Sequence, residues 1–213
     1  MRLTKFGHAC ARIESNGATI VLDPGGLTSP EAVDGADAIL ITHEHFDHYK
    51  IEHLQRTDAA VFTIGAVAKQ IQEADAAVRE RVRVVAPGEQ FTAAGLAVEA
   101  CGGMHAVIHP DAPSFDNCGF VVDAELCVYH PGDSFDLPER QIDIALVPVS
   151  GPWLKLAESI DFGRALAAPH ALAIHERLLS DIGLTMVDER LTEMLAMSGS
   201  AYQRVADGQD MVL

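Results

Sequence analysis

Ala38-Ile39-Leu40-Ile41-Thr42-His43-Glu44-His45-Phe46-Asp47-His48 is the stretch on which the reading of this chain turns. Its first half is a short unbroken apolar run, the pattern of a strand buried on both faces. Its second half gathers three imidazoles and the Asp47 carboxylate into six residues at the end of that strand. His43 and His45 are two apart, so in extended chain both rings face one way. A turn after them brings Asp47 and His48 back toward the same volume. Such donor density suits zinc or another divalent first-row ion. Glu44 and Phe46, at the intervening positions, are expected to face away, with Phe46 packing.

A metal site needs partners from elsewhere. The candidates are His105, His109, His130, Asp133, His170 and His175. His105 follows Cys101-Gly102-Gly103-Met104, Asp133 follows Tyr129-His130-Pro131-Gly132, and His175 ends an apolar run. Each lies just past a predicted strand, and ligands at strand ends converge on one rim of a layered fold. Position therefore favours His105 over His109 and Asp133 over Asp136, with His170 standing as the competitor of His175.

The rest of the chain alternates short strands with helices. Strands are expected over 3–6, 10–15, 19–23, 38–42, 60–63, 82–85, 90–92, 96–100, 119–123, 126–129, 142–147, 171–174 and 202–206. Helices are expected over 51–54, 66–73, 156–167, 176–182 and 190–197. Asn16-Gly17 is a hairpin signal, and hairpins within the pattern argue against a purely parallel sheet. The class is α/β or α+β in layers, with a single domain over 1–213 and no repeat at residue level.

Composition sets the outer bounds. The 31 acidic residues against 15 Lys and Arg leave a net charge of −16, which argues against a nucleic-acid backbone or an anionic membrane as partner. A small anionic substrate is still admissible, because a local metal reverses the sign of the field. The four cysteines lie mostly in apolar segments without a CxxC pair and read as reduced thiols. Neither a signal peptide nor an 18-residue apolar span is legible, so the expected compartment is the cytoplasm.

Thr42-His43-x-His45-x-Asp47-His48 resembles the HxHxDH signature of the metallo-β-lactamase-fold hydrolases. The opening Leu3-Thr4-Lys5-Phe6-Gly7-His8-Ala9, Asp23-Pro24-Gly25, Tyr129-His130-Pro131-Gly132-Asp133 and Pro169-His170-Ala171-Leu172-Ala173-Ile174-His175 are similar to the compact branch related to ascorbate-phosphate lactonases. The resemblance implies a four-layer αββα sandwich with two divalent ions, zinc or manganese, at one edge. It implies His43, His45 and His105 on the first ion, Asp47, His48 and His175 on the second, and Asp133 bridging. A shared hydroxide would attack a small ester-type molecule, a lactone or phosphoester, with Asp47 orienting the water. His8 is expected to line the site or to be structural, Asp23 to support a ligand or cap a turn, and Trp153 to wall the pocket or pack in the core. The pattern departs from several relatives at Pro131, and the His-, Pro- and Asp-rich stretch 102–117 is expected to shape the pocket. The competing reading is an iron-binding redox or sensory protein of the same fold. The sequence leaves a homo-oligomer open.

Overall fold

Asn16 and Gly17 both sit at positive φ (53° and 80°), which is what a two-residue hairpin turn between twisted strands requires. They join β2 (Ala11–Ser15) to β3 (Ala18–Leu22), and β1 (Arg2–Lys5) pairs antiparallel with β2. From β3 onward the pairing becomes parallel through β4 (Ala38–Ile41), β5 (Ala60–Thr63) and β6 (Val82–Val84). Parallel neighbours need crossovers: a segment with a 3-10 turn (Pro30–Val33) joins β3 to β4, α1 (Ile51–Gln55) lies between β4 and β5, and α2 (Gly65–Ala74) and α3 (Ala76–Arg79) lie between β5 and β6. This computed structural model describes residues 1–213.

The second sheet repeats the plan. Its antiparallel part is β7 (Gln90–Ala93), β8 (Leu96–Cys101), β9 (Gly119–Asp123) and β10 (Cys127–His130). Its parallel part continues through β11 (Ile144–Pro148), β12 (His170–Ile174) and β13 (Ala201–Gln203). The strand at which each sheet switches to parallel pairing ends in the same dipeptide, Pro24-Gly25 after β3 and Pro131-Gly132 after β10. The halves thus share a topology that no residue-level repeat reveals.

Period-two alternation assigns the second sheet's side chains to two cores. Phe120, Val122, Val128, Ile144, Leu146, Leu172 and Ile174 join the large core of 40 buried residues that lies against the first sheet. Val121, Tyr129, Ala145, Val147, Ala171 and Ala173 face the opposite way, toward α4 (Leu156–Leu166) and α5 (Asp181–Ala196). Phe62 of β5 stacks on Phe91 of β7 at 4.9 Å, which ties the two sheets together. Gly163 lets α4 approach α5, because a Cβ there would lie 2.8 Å from Leu195. With α1 to α3 packed outside the first sheet, the architecture is the expected four-layer αββα sandwich. No helix is long and apolar enough to cross a membrane.

The C-terminal third departs from expectation. Helices over 176–182 and 190–197 are replaced by a single 3-10 turn, Glu176–Leu178, and the continuous α5. The Ser180 side chain accepts from Gly183 N at 3.3 Å and starts the helix there, so that it runs on through Gly183 and Thr185. Val187, Leu191 and Leu195, spaced by four, then anchor it to the core. Ser180→Ala should lower stability by about 1 kcal/mol in urea denaturation. The short α3 was not expected; Asp75 caps it by accepting from Ala77 N and Val78 N. The final strand ends at Gln203, short of 206. All four cysteines are free thiols, and burial pushes Cys10, Cys101 and Cys118 up to about 12.

Candidate metal centre

Every ligand candidate that converges does so just beyond the end of a strand on one edge of the sandwich. His43, His45, Asp47 and His48 follow β4, His105 follows β8, Asp133 follows β10, His175 follows β12 and His8 follows β1. Extended geometry stops at Thr42, and a turn closed by His48 N and Tyr49 N, both donating to His45 O at 3.0 Å, folds the motif back on itself. Gly25 makes that turn possible, since a Cβ there would lie 1.9 Å from Asp47 O. Gly132 (φ 64°) does the same for the Asp133 loop, where a Cβ would lie 2.3 Å from Asn117 Oδ1.

Asp133 is the hub. Its Oδ1 lies 2.7 Å from His175 Nε2 and 2.9 Å from His48 Nε2. Its Oδ2 lies 3.2 Å from His105 Nε2 and 3.8 Å from His43 Nε2. Two further close approaches join imidazoles directly: His43 Nε2 to His45 Nδ1 at 3.1 Å, and His48 Nε2 to His175 Nε2 at 2.8 Å. Three groupings of potential donors lie within 4.8 Å of one another: His43, His45, His105 and Asp133; His48, Asp133 and His175; and His8, Asp47 and His175.

The opposite side of each ring fixes what faces inward. Asp23 accepts from Thr42 N at 2.8 Å, from Thr42 Oγ1 at 2.7 Å and from His48 Nδ1 at 2.6 Å. With its hydroxyl proton given to Asp23, Thr42 Oγ1 accepts from His43 Nδ1 at 3.0 Å. His105 Nδ1 donates to Ala106 O at 2.5 Å. Nδ1 therefore carries a proton on all three rings and Nε2 of each is turned toward Asp133, bare on His43 and His105 and open to a cation on His48 once its second proton is displaced. Lone pairs facing carboxylate oxygens at these separations repel unless a cation lies among them. His105 Nε2 and Asp133 Oδ1 are buried without a hydrogen-bond partner. The donor set thus fits divalent ions.

His8 behaves differently. Its Nε2 is 3.0 Å from Asp47 Oδ2 and, facing an ionised carboxylate, must be the donor. Burial pushes the Asp47 carboxyl up, but the His8 hydrogen bond and the nearby His48 and His175 outweigh it and hold it at about 2. Burial lowers His43; at His48, burial is outweighed by Asp133 and Asp23, which raise it well above the usual range. His8 (φ 49°), Asp23 (φ 46°) and His175 (φ 68°) all adopt the left-handed region, which costs a non-glycine residue about 1–3 kcal/mol. Such strain is held by surrounding contacts, among them His175 N donating to His8 O at 3.1 Å.

Two competitors lie elsewhere. His109 is exposed beside Asp111, and His170 occupies the start of β12, about 15 Å along the strand from His175. His130 is structural: its Nε2 donates to Ala9 O and its Nδ1 accepts from Gly132 N. The Asp23 carboxylate lies behind the candidate ligands, bonded to Thr42 and His48 rather than capping a turn. Phe46 is not packed but 67 % exposed, because the period-two rule lapses once the chain turns. Sequence reasoning missed Asn117, which braces the Asp133 loop through Asp133 N and Pro131 O. It also missed the direct bond from Trp153 Nε1 to Asp133 Oδ2 at 2.9 Å. A cavity of about 330 Å³ opens over the cluster, its rim formed by Phe46, Ile108, Pro152, Trp153 and Leu178.

A layered sandwich with a histidine- and aspartate-lined edge defines a class of metal-binding folds, and comparison with known proteins supplies the family. A family profile described as Beta-lactamase superfamily domain matches residues 2–175. Protein Rv0786c of Mycobacterium tuberculosis is 34 % identical over 203 residues, covering 91 % of this chain and 92 % of its own. A UPF0173 metal-dependent hydrolase of Methanoregula boonei is 27 % identical, covering 91 % and 92 %. The solved structure of Igni18, a metallo hydrolase from Ignicoccus hospitalis, superposes with a TM-score of 0.76 at 19 % identity, covering 99 % of this chain and 97 % of that one. The chain belongs to the beta-lactamase superfamily.

Proposed function

We propose that the chain is a metal-dependent hydrolase, one domain over 1–213, that cleaves a small ester-type substrate, a lactone or a phosphoester. The observation that carries this reading is the set of Nε2 atoms of His43, His48 and His105, each ring held from behind at Nδ1 and turned toward Asp133. His43, His45 and His105 would hold one zinc or manganese ion, Asp47, His48 and His175 would hold a second, and Asp133 would be shared between the two sets. When bound, such ions would supply Lewis acidity, making water a competent nucleophile near neutral pH and neutralising charge developing on the attacked group. His8 keeps the Asp47 carboxylate oriented through Nε2, and Asp47 orients the attacking water and carries its proton to the leaving group. Asp23 and Thr42 fix the tautomers of His48 and His43 from behind. The metal-dependent hydrolase name of the Methanoregula relative supports the reaction class. The acidic surface suits a small-molecule substrate met in the cytoplasm rather than a nucleic acid.

Metal analysis tests the centre. Protein stripped with chelator and reloaded with zinc or manganese should hold about two equivalents per chain. Less than one equivalent after careful reloading would overturn the two-ion reading. Iron-dependent visible absorption with redox turnover would favour the iron-based alternative.

A further inference from the structure

The apolar rim of the cavity narrows the choice of substrate. Phe46 is 67 % exposed, Leu178 54 % and Ile108 39 %. They come from three separate segments: the histidine turn, the 3-10 turn after His175, and the stretch 102–117. Large apolar side chains that converge in the open from independent segments mark a surface that binds something apolar. The polar residues lining this cavity are His45, Asp47, His105, Asp133 and His175, every one a candidate for the metal centre. No Lys, Arg, Ser, Thr, Asn or Gln lines it.

Two cations that adjoin lining residues in sequence are committed elsewhere. Lys5 is buried against Glu176, and Arg177 pairs with Asp207. The indole N–H of Trp153 already serves Asp133. A phosphoester brings one or two charges and several non-bridging oxygens, for which charged forks or multiple N–H donors are the usual partners. Beyond the ions themselves, this cavity offers none.

A second hollow of about 490 Å³ adjoins the first and shares His105 and Ile108 with it as walls. Its lining includes Met104, Val107, Ile108, Pro110 and Phe115. Val107 and Met104 are 71 % and 52 % exposed. A chain leaving the metal edge past Ile108 would run onto this surface.

Building on the hydrolase reading, we propose that the substrate is an uncharged carboxylic ester or lactone bearing an apolar arm, and that the arm lies over Phe46, Ile108 and Leu178 into the hollow formed by 104–115. One water is consumed: its oxygen bonds to the acyl carbon, the acyl C–O bond breaks, and the ring or ester oxygen takes the proton to leave as an alcohol. The apolar arm supplies binding, and the metal edge supplies the chemistry.

The test uses the metal-loaded protein with 4-nitrophenyl acetate, butyrate, hexanoate and octanoate, five-membered lactones with side chains of matching lengths, and 4-nitrophenyl and bis(4-nitrophenyl) phosphate. From acetate to hexanoate, kcat/KM should rise on the order of 100-fold, the value expected when four methylenes leave water. The phosphates should be poorer substrates. Ile108→Asp and Leu178→Asp, both at exposed positions, should flatten the chain-length series. Calorimetric binding of acetate, butyrate and hexanoate, the acid products, reads the arm site without turnover. A chain-length-independent affinity, or preference for the phosphates, would overturn the apolar-arm proposal. Absence of turnover on every ester and phosphate would overturn the hydrolase reading, while a rising product affinity in the same protein would still uphold the apolar site.

Discussion

Asp47→Asn is expected to reduce hydrolytic turnover by about 10²–10⁴-fold, the range for loss of a positioned proton-transfer group. The substitution is nearly isosteric, so the new amide oxygen still accepts from His8 across the 3.0 Å contact. It removes the charge that His8, His48 and His175 hold in the ionised form down to about pH 2. Asp47 is partly exposed and makes one side-chain hydrogen bond, so the urea midpoint should stay close to that of the parent protein. Metal content measured on the same preparation separates two causes. Loss of turnover with both ions retained assigns Asp47 to the chemistry of the water. Loss of turnover together with one ion assigns it chiefly to ligation. Unchanged turnover of a verified substrate would remove Asp47 from both roles.

The sheets were legible because burial on one or both faces leaves a local signature. β4, β5, β9 and β12 are unbroken apolar runs or near-alternations bounded by Gly, Pro or polar turns, and they fall where the pattern puts them. The helices at the C-terminus were less legible because tertiary contacts outweigh intrinsic preference there. The first turns of α5 contain Gly183 and Thr185, both poor helix formers, and the helix is secured by its cap and by Val187, Leu191 and Leu195. The duplicated plan of the two sheets lives in pairing direction, which single-chain patterning does not encode. Only the shared Pro-Gly after β3 and β10 gives it away.

The candidate site was legible for the same reason that it is concentrated. Four donors lie within six residues, and the other three each sit immediately past a strand end. What the sequence does not carry is what stands behind and around them. Asn117 braces Asp133 from 16 residues away, and Ala106 fixes the His105 tautomer with a backbone carbonyl that any residue would provide. Trp153 reaches Asp133 only because β11 and β10 are neighbours. The expectation for Phe46 failed because alternation was extended past Thr42, where the strand ends. The single-residue alternatives were separated by geometry, with His170 and His175 at opposite ends of one strand.

Lys5→Met is expected to cost about 3–5 kcal/mol of stability, because it strands the Glu176 carboxylate in the interior. The Lys5 side chain is 1 % exposed and that of Glu176 9 %, with Nζ 2.7 Å from Oε1, while Oε2 is buried without a partner. Against a typical total of about 5–15 kcal/mol, such a loss is a large fraction of what holds a domain together. Adding Glu176→Leu to the same chain removes the stranded charge, so the double variant should recover most of the loss or exceed the parent. Urea denaturation of the four proteins in this cycle gives the coupling, and metal-loaded samples keep the single variants folded enough to measure. A single-variant cost below about 1 kcal/mol, the value for a solvated surface pair, would overturn this reading of the pair. Equal instability of the single and double variants would assign the loss to packing. The location gives the result a further consequence. Lys5 lies three residues before His8 and Glu176 directly follows His175, so the pair clamps the two strained histidine segments against each other. On the two-ion reading proposed above, loosening it should weaken metal binding at His175 more than at His43, His45 and His105.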